Sequence, residues 1–414
     1  MIDKDGYLKN IRKYQVYVLV SGFAFVGPLC NLFYLSADIS FSKLSLIETA
    51  STVVLVFFEI PTGAIADLIG RKKSMALGCC LMGCEYIMIG AGYSFGFFIA
   101  AALIGGLGIC LESGADDAIL YDSLKKLNRE GEFKKYLGQS NATFKISAAI
   151  SGVVSSYLYS FDKSLIFYLC GFLLIGLGLY SLTMTETVSP PKPSANGKKN
   201  KPLKALVWRL LLKSYACLKG NKPLAWTILF AGLLTTTARA NTALLRTPIL
   251  ANLLDDIFYL GFIVALGLGL SSIASWYADK ILHFVNEQYI LLIYAIGIGI
   301  VFIGIGCFNN LWIIVFIIPM YILNAFLSVF FSDYCHRHFN SKQRGTLNSF
   351  QEACRSFIGI FTLLGVGMMA DTLGLQVSSI SLGGAVLIGS ILFIFFRLRK
   401  GCTLKSHDKL TCEH

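Results

Sequence analysis

Residues 59–73 read Glu-Ile-Pro-Thr-Gly-Ala-Ile-Ala-Asp-Leu-Ile-Gly-Arg-Lys-Lys. The stretch starts inside an apolar run and ends in three consecutive cations. Each landmark has a physical sense. Gly63 lets a neighbouring helix approach closely. Asp67 closes the helix at a water boundary. Gly70 permits a tight turn that other residues resist. Arg71, Lys72 and Lys73 hold the turn on the cytoplasmic side of a membrane, where short loops concentrate Lys and Arg. An ordinary basic loop after a membrane helix accounts for the cations but not for the spaced Gly, Asp and Gly.

The rest of the chain supplies the membrane. Of 414 residues, 55% are hydrophobic and only 14% charged, where a soluble domain carries about 25% charge. Mean hydropathy is +0.65. A membrane-crossing helix needs roughly 20 mostly apolar residues. Twelve such stretches can be read, at 14–36, 43–66, 74–93, 96–122, 138–161, 164–184, 224–250, 257–278, 286–307, 311–333, 346–370 and 376–396. Met1 to Lys13 is charged and no small-residue cleavage site follows a short apolar core, so no cleavable signal is expected. The expected organisation is a six-helix bundle over 1–184, a linker over 185–223, a second bundle over 224–396 and a tail over 397–414. The linker carries Pro190, Pro191, Pro193, Gly197 and a run of lysines. Its later part, Leu203 to Lys219, alternates apolar and basic residues, the pattern of an amphipathic helix on a membrane surface.

The net charge of +12 is distributed as topology, which argues against a nucleic-acid partner. Thirty of the 36 Lys and Arg fall in loops assigned to one side, Lys43 and Lys163 on the other, and Lys145, Arg239, Arg246 and Arg355 within spans. That bias places both termini in the cytoplasm. The twelve cysteines avoid the predicted outer loops, so no structural disulfide is expected, and Cys80 and Cys84 read as apolar packing rather than a metal site.

The halves echo one another. Gly63-x-x-Ala66-Asp67 ends the second span, and Ser275-x-x-Ala278-Asp279-Lys280 ends the eighth. Asp122 closes the fourth and Asp333 the tenth. Gly138-Gln-Ser-Asn141 opens the fifth and Gly345-Thr-Leu-Asn348 the eleventh. Three matched landmarks in order indicate a duplicated six-helix unit. Gly63, Asp67, Gly70, Arg71 and Lys72 fit Gly-x-x-x-Asp-x-x-Gly-Arg-Lys, which resembles the loop between the second and third helices of major facilitator superfamily transporters. Residues 112–124, Glu-Ser-Gly-Ala-Asp-Asp-Ala-Ile-Leu-Tyr-Asp-Ser-Leu, together with Glu-Ile-Pro-Thr-Gly, resemble a branch of bacterial permeases in that superfamily. The resemblance implies an all-α membrane protein of twelve helices in two pseudo-symmetric bundles, with a substrate site near the midplane between them. The chain departs from the drug-exporter pattern. It reads Gly105-Gly-Leu-Gly-Ile-Cys-Leu where those transporters carry Arg, and the fifth span lacks a Gly-Pro motif.

Charges inside a bilayer are costly and mark partners or function. Glu59 lies eight residues before Asp67, roughly 12 Å deeper. Glu112 and Asp116 are four apart and are expected to share a face, with Asp117 pointing elsewhere. Arg239 and Arg246 are seven apart, again one face. Glu352 and Arg355 are three apart and can neutralise each other. Glu59, Glu112, Asp116, Lys145, Arg239, Arg246, Glu352 and Arg355 are therefore candidates to bind substrate or protons. Gly63, Asp67, Gly70, Arg71, Lys72, Asp122, Asp279 and Asp333, at the inner edge, are candidates for a gate. For both sets, structural ion pairs are the competing reading. Glu85, in the third span, has no account from sequence.

All five histidines lie outside the predicted spans, and there is no Gly-x-Ser-x-Gly or Gly-x4-Gly-Lys-Ser/Thr pattern, which argues against acyl-transfer chemistry and ATP as energy source. Asn141-Ala-Thr143 matches a glycosylation acceptor but falls at the cytoplasmic edge. The sequence thus points to a monomeric, proton-coupled secondary transporter of a small organic solute in a bacterial inner membrane, without metal or cofactor. A drug or siderophore exporter, and a non-transporting polytopic sensor or membrane enzyme, are the alternatives.

Overall fold

The structure is a computed structural model that describes residues 4–24, 26–113, 115–187, 222–282, 287–338 and 344–399. Most of the linker, including its expected amphipathic helix, and the tail from Lys400 lie outside the described residues. So do the side chains of Glu59, Asp67, Asp279, Asp333 and Glu352 and the surroundings of Gly63. Among the described residues the chain is helical throughout, with no strand.

The helices are α1 (Lys4–Ser36), α2 (Phe41–Ile69), α3 (Arg71–Ala91), α4 (Phe95–Lys126), α5 (Phe133–Phe161) and α6 (Leu165–Ser181). Then come α7 (Lys222–Ala240, Asn241–Arg246 and Thr247–Leu253), α8 (Phe258–Leu282), α9 (Glu287–Cys307), α10 (Ile314–His338), α11 (Arg344–Leu373) and α12 (Leu375–Arg399). Among the described residues, ten are long and apolar enough to cross a membrane. The other two are α6, apolar but only 17 residues long, and α5.

The 29 residues of α5 are rich in serine, and the arrangement of those serines explains how such a helix sits among lipid-compatible neighbours. Ser140, Ser147, Ser151 and Ser155 are buried, while Ile146, Ile150, Val154 and Tyr157 are exposed. The polar stripe faces protein. Ser151 Oγ donates to the Phe23 carbonyl at 2.7 Å, and Ser147 Oγ lies where a Cβ on Gly22 would be, 1.9 Å away. Glycine at 22 is what lets α1 and α5 close on each other.

Three helices are not uniform. The first, α1, breaks between Phe23 and Gly27 and resumes with Pro28 in its first turn, where the missing N–H costs nothing. The second, α4, stops at Ser113 and restarts at Asp116. The third, α7, contains a π-helical segment, Asn241–Arg246.

The chain separates into two compact units. One holds residues 1–207 and 254–269, which is α1–α6 with the start of α8. The other holds residues 208–253 and 270–414. Each is cemented by glycines on a matched helix pair. In the first, a Cβ on Gly83 of α3 would stand 2.7 Å from the Gly171 carbonyl of α6. In the second, a Cβ on Gly383 of α12 would stand 2.7 Å from the Gly299 carbonyl of α9. The third and sixth helices thus pack as the ninth and twelfth do, the packing counterpart of the duplicated landmarks in the sequence.

Candidate functional site

Within the first unit, the turn that organises the sequence is built around Gly70. Its φ is +102°, a conformation closed to most L-residues. The turn is one residue long: Gly70 N–H donates to the Ala66 carbonyl at 3.0 Å, and the Gly70 carbonyl accepts from Ser74 N–H at 3.1 Å. A Cβ here would also lie 2.3 Å from Glu186 Oε2. Glu186 Oε1 accepts from the backbone N–H of Arg71 at 2.9 Å and of Thr187 at 3.0 Å. Arg71 Nε lies 3.8 Å from Asp122 Oδ2 at the end of α4, and Thr187 Oγ1 donates to the same carboxylate at 3.4 Å.

The segment after α6 is strapped down alongside. Asn10 exchanges two hydrogen bonds of 2.8 Å with the Thr185 backbone, Lys72 Nζ donates to the Leu182 carbonyl at 3.3 Å, and Lys13 Nζ donates to the Thr183 carbonyl. Gly70, Arg71, Lys72 and Asp122, all expected at a gate, are therefore brought together within one unit. Glu186 was missed because it reads as the opening of a polar linker. Its only signal is that it is an acid placed just after the end of a span.

Higher in the same unit lies a carboxylate cluster. Tyr17 OH donates to Glu112 Oε1 at 2.8 Å and lies 2.9 Å from Cys79 Sγ. Tyr14 OH donates to Asp117 Oδ1 at 2.8 Å. The expectation that Glu112 and Asp116 share a helical face assumed a continuous helix, and α4 is interrupted between them. The break sets Asp116 at the start of the next helical piece, where its Oδ1 accepts from Asp117 N–H at 2.6 Å. Asp117, expected to point elsewhere, joins Glu112 in facing α1. Among the described residues no Lys, Arg or His stands within 4.0 Å of Glu112, Asp116 or Asp117. Glu85 of α3 also has its place: its carboxylate lies over Gly105 of α4, where a Cβ would be 1.8 Å from Oε2.

In the second unit the informative residue is Arg246. It is only 5% exposed, and its Nη2 donates to Tyr321 OH at 3.3 Å while the guanidinium lies 4.9 Å from the centre of the same ring. Arg239 is exposed. The two arginines do not share a face, and the cause is the π-helical segment between them. In a regular α-helix seven residues return to within about 20° of the start, and one extra residue in a π-bulge displaces that register by about 100°. The bulge is held by Thr247 Oγ1, which donates to the Thr242 carbonyl at 2.9 Å, and by Asn241, whose Nδ2 donates to Ser379 Oγ of α12 at 3.2 Å. Among the described residues no carboxylate lies within 4.0 Å of Arg246. Of the remaining candidates, Lys145 is partly buried on α5 and Arg355 is exposed on α11, while the side chains of Glu352, Glu59, Asp67, Asp279 and Asp333 are outside what the structure describes. No group of three or more metal-ligating side chains is found among the described residues.

Residues 17–363 match the family profile of the Major Facilitator Superfamily. The chain belongs to this superfamily. Within the Major Facilitator Superfamily it is 24% identical, over 241 residues, to the uncharacterized MFS-type transporter YxaM of Bacillus subtilis (strain 168), and the match spans 58% of each chain. Similar folds are seen in solved structures. A mutant form of the nucleoside transporter NupG gives a TM-score of 0.76 at 14% identity, covering 93% of this chain and 99% of that one. A POT family transporter in complex with 5-aminolevulinic acid gives 0.73 at 12% identity, covering 94% and 96%. A D-xylose-proton symporter gives 0.71 at 11% identity, covering 93% and 97%. The protein is thus a multi-pass membrane protein of this superfamily, and its all-helical fold is the one the sequence implied.

Proposed function

We propose that this transporter moves a small organic solute carrying at least one anionic group, by alternating access coupled to protons. The observation that carries the reading is Arg246. A cation buried within a membrane-spanning helix is costly unless it is compensated, and here the described surroundings supply an aromatic ring and a hydroxyl but no carboxylate. A carboxylate or phosphate on the solute fits the planar fork of the guanidinium, which donates parallel hydrogen bonds.

Glu112 is the complementary group. Its described partner is the neutral Tyr17 hydroxyl rather than a cation, so taking up a proton breaks no ion pair among the described residues. The sequence offers no nucleotide-binding loop, which leaves an ion gradient as the energy source. On the same reading the protein is a monomeric permease of the branch that carries Glu-Ile-Pro-Thr-Gly. It sits in a bacterial inner membrane with both termini cytoplasmic, where its basic loops belong, and 185–223 links bundles at 1–184 and 224–396. Gly63, Asp67, Gly70, Arg71, Lys72, Asp122, Asp279 and Asp333 form its gating elements, while Glu59, Asp116, Lys145, Arg239, Glu352 and Arg355 complete the set of substrate or proton groups.

The test is a metabolite screen by thermal shift on purified protein, followed by calorimetry on the solute it finds. Arg246→Lys keeps the charge and loses the fork, and weakens binding by about 1.5–3 kcal/mol, the range of charged hydrogen bonds. Arg246→Gln weakens it at least as much, and the exposed Arg239→Gln less. Wild-type affinity in both Arg246 variants, or a solute that proves to be a simple cation, rules the anion reading out.

A further inference from the structure

A recess of about 370 Å³ opens in the first unit between the first turns of α1 and the connection from α4 to α5. Asp5, Lys9 and Arg12 line it from α1, and Arg129 and Tyr136 from the other side. None of these belongs to the transport groups above. The lining is cationic: with Arg129 paired to Glu132, Lys9 and Arg12 stand against Asp5. Arg129 is fixed in place: its Nε and Nη2 donate to the two oxygens of Glu132 at 2.6 and 2.8 Å, and Nη2 also reaches Tyr136 OH at 3.4 Å. The hydrogen bond from Arg129 holds the Glu132 carboxyl below its ordinary range. The pair therefore stays ionised at neutral pH and loosens only as pH falls. These bonds occupy Nε and Nη2, and the two N–H groups of Nη1 are left for a ligand.

The second observation is the surface below the recess. Leu8, Arg12, Val16, Leu19 and Phe23 follow at intervals of four, four, three and four residues, which is one helical face. Leu8, Val16, Leu19 and Phe23 are all exposed, Val16 to 44% and Leu19 to 40%. Arg12 is exposed too. An apolar stripe thus runs away from the cations for about 16 Å, at 1.5 Å per residue from Arg12 to Phe23. Cations at the head and an apolar track below them match an amphiphile with an anionic headgroup. A soluble phosphate would use the cations and gain nothing from the stripe.

We propose that this recess binds a phosphate group, supplied by an anionic phospholipid whose acyl chain lies along Val16, Leu19 and Phe23. The test uses the full-length protein in nanodiscs of phosphatidylcholine with and without phosphatidylglycerol, followed by native mass spectrometry of the lipid retained in mild detergent. Phosphatidylglycerol should be retained over phosphatidylcholine. Lys9→Ala and Arg12→Ala should each lower its retention about fivefold, the equivalent of ~1 kcal/mol per basic residue near an anionic surface. Arg12→Lys should keep most of it, and Lys135→Ala, an exposed cation outside the recess, should change nothing. In parallel, inorganic phosphate is titrated into delipidated protein. Binding of inorganic phosphate that depends on Arg12, with no phosphatidylglycerol retained, would keep the phosphate site and refute the lipid as its source. Equal retention of both lipids by wild type and by the Lys9→Ala, Arg12→Ala double variant, with no phosphate binding, would overturn the proposal.

Discussion

At the scale of single residues, the turn at Gly70 joins backbone strain to a charge contact. The position combines φ +102° with a carboxylate oxygen 2.3 Å from where a Cβ would be. Gly70→Ala is therefore penalised twice. Forcing an L side chain into this essentially glycine-only region costs about 1–3 kcal/mol, and the new methyl pushes Glu186 off the Arg71 N–H. Glu186→Gln loses only the carboxylate's share of that hydrogen bond, so its melting temperature in detergent should fall less than that of Gly70→Ala. Because both act on one contact, the double variant should lose less than the sum of the two. Strictly additive losses would show that the two residues are not coupled. The glycine was legible in the sequence, because a Gly followed by three cations at a helix end fits little but a turn. Glu186 was not, because the partner of a turn comes from a segment more than a hundred positions away, and spacing carries no information at that distance. Glu85 is the reverse case: its charge was visible, but its setting over Gly105 depends on the approach of α3 and α4.

At the scale of the helix, hydrophobic length was legible and interruption was not. Runs of apolar residues located every span to within a turn or two, apart from α1, which starts ten residues before its expected beginning. A break in α4 and a bulge in α7 were not read from hydropathy, because span length averages over about 20 residues and both change only the local direction of the side chains. The bulge undid the inference that Arg239 and Arg246 share a face. The bulge has a direct consequence for binding. Deleting Ala243 should restore regular α-helical turns and rotate Arg246 by about 100° relative to the preceding segment, away from Tyr321. Solute binding should then fall as far as in Arg246→Gln, with helical content by circular dichroism retained. A gentler variant, Thr247→Ala, removes the hydroxyl that satisfies the Thr242 carbonyl. It should cost about 0.5–1.5 kcal/mol of stability, the ordinary worth of one hydrogen bond. Binding that survives the deletion in a folded protein would remove the bulge from the argument.

At the scale of the whole molecule, the superfamily fold followed from the duplicated landmarks, and the matched glycine contacts, Gly83 with Gly171 and Gly299 with Gly383, show the repeat in packing. The chemistry is distributed unequally over that repeat. The first unit holds carboxylates at the break of α4, satisfied by tyrosine hydroxyls. The second holds a buried arginine satisfied by a tyrosine ring and hydroxyl. Sequence could name these charges, but their partners are neutral tyrosines drawn from the packing, which no charge count reveals. In the proposed proton-coupled cycle, an acid that loses no described ion pair on protonation is suited to carry the proton. Glu112→Gln keeps an acceptor for Tyr17 and cannot ionise. In proteoliposomes this variant should lose accumulation of solute against its gradient, since transport is no longer tied to proton movement, yet it should retain counterflow exchange of labelled for unlabelled solute. Asp116→Asn and Glu59→Gln, measured alongside, should keep some accumulation. If all three amide variants still concentrate the solute, the proton is carried by another group or the driving ion is not a proton. If Glu112→Gln loses exchange as well, the residue serves solute binding rather than coupling.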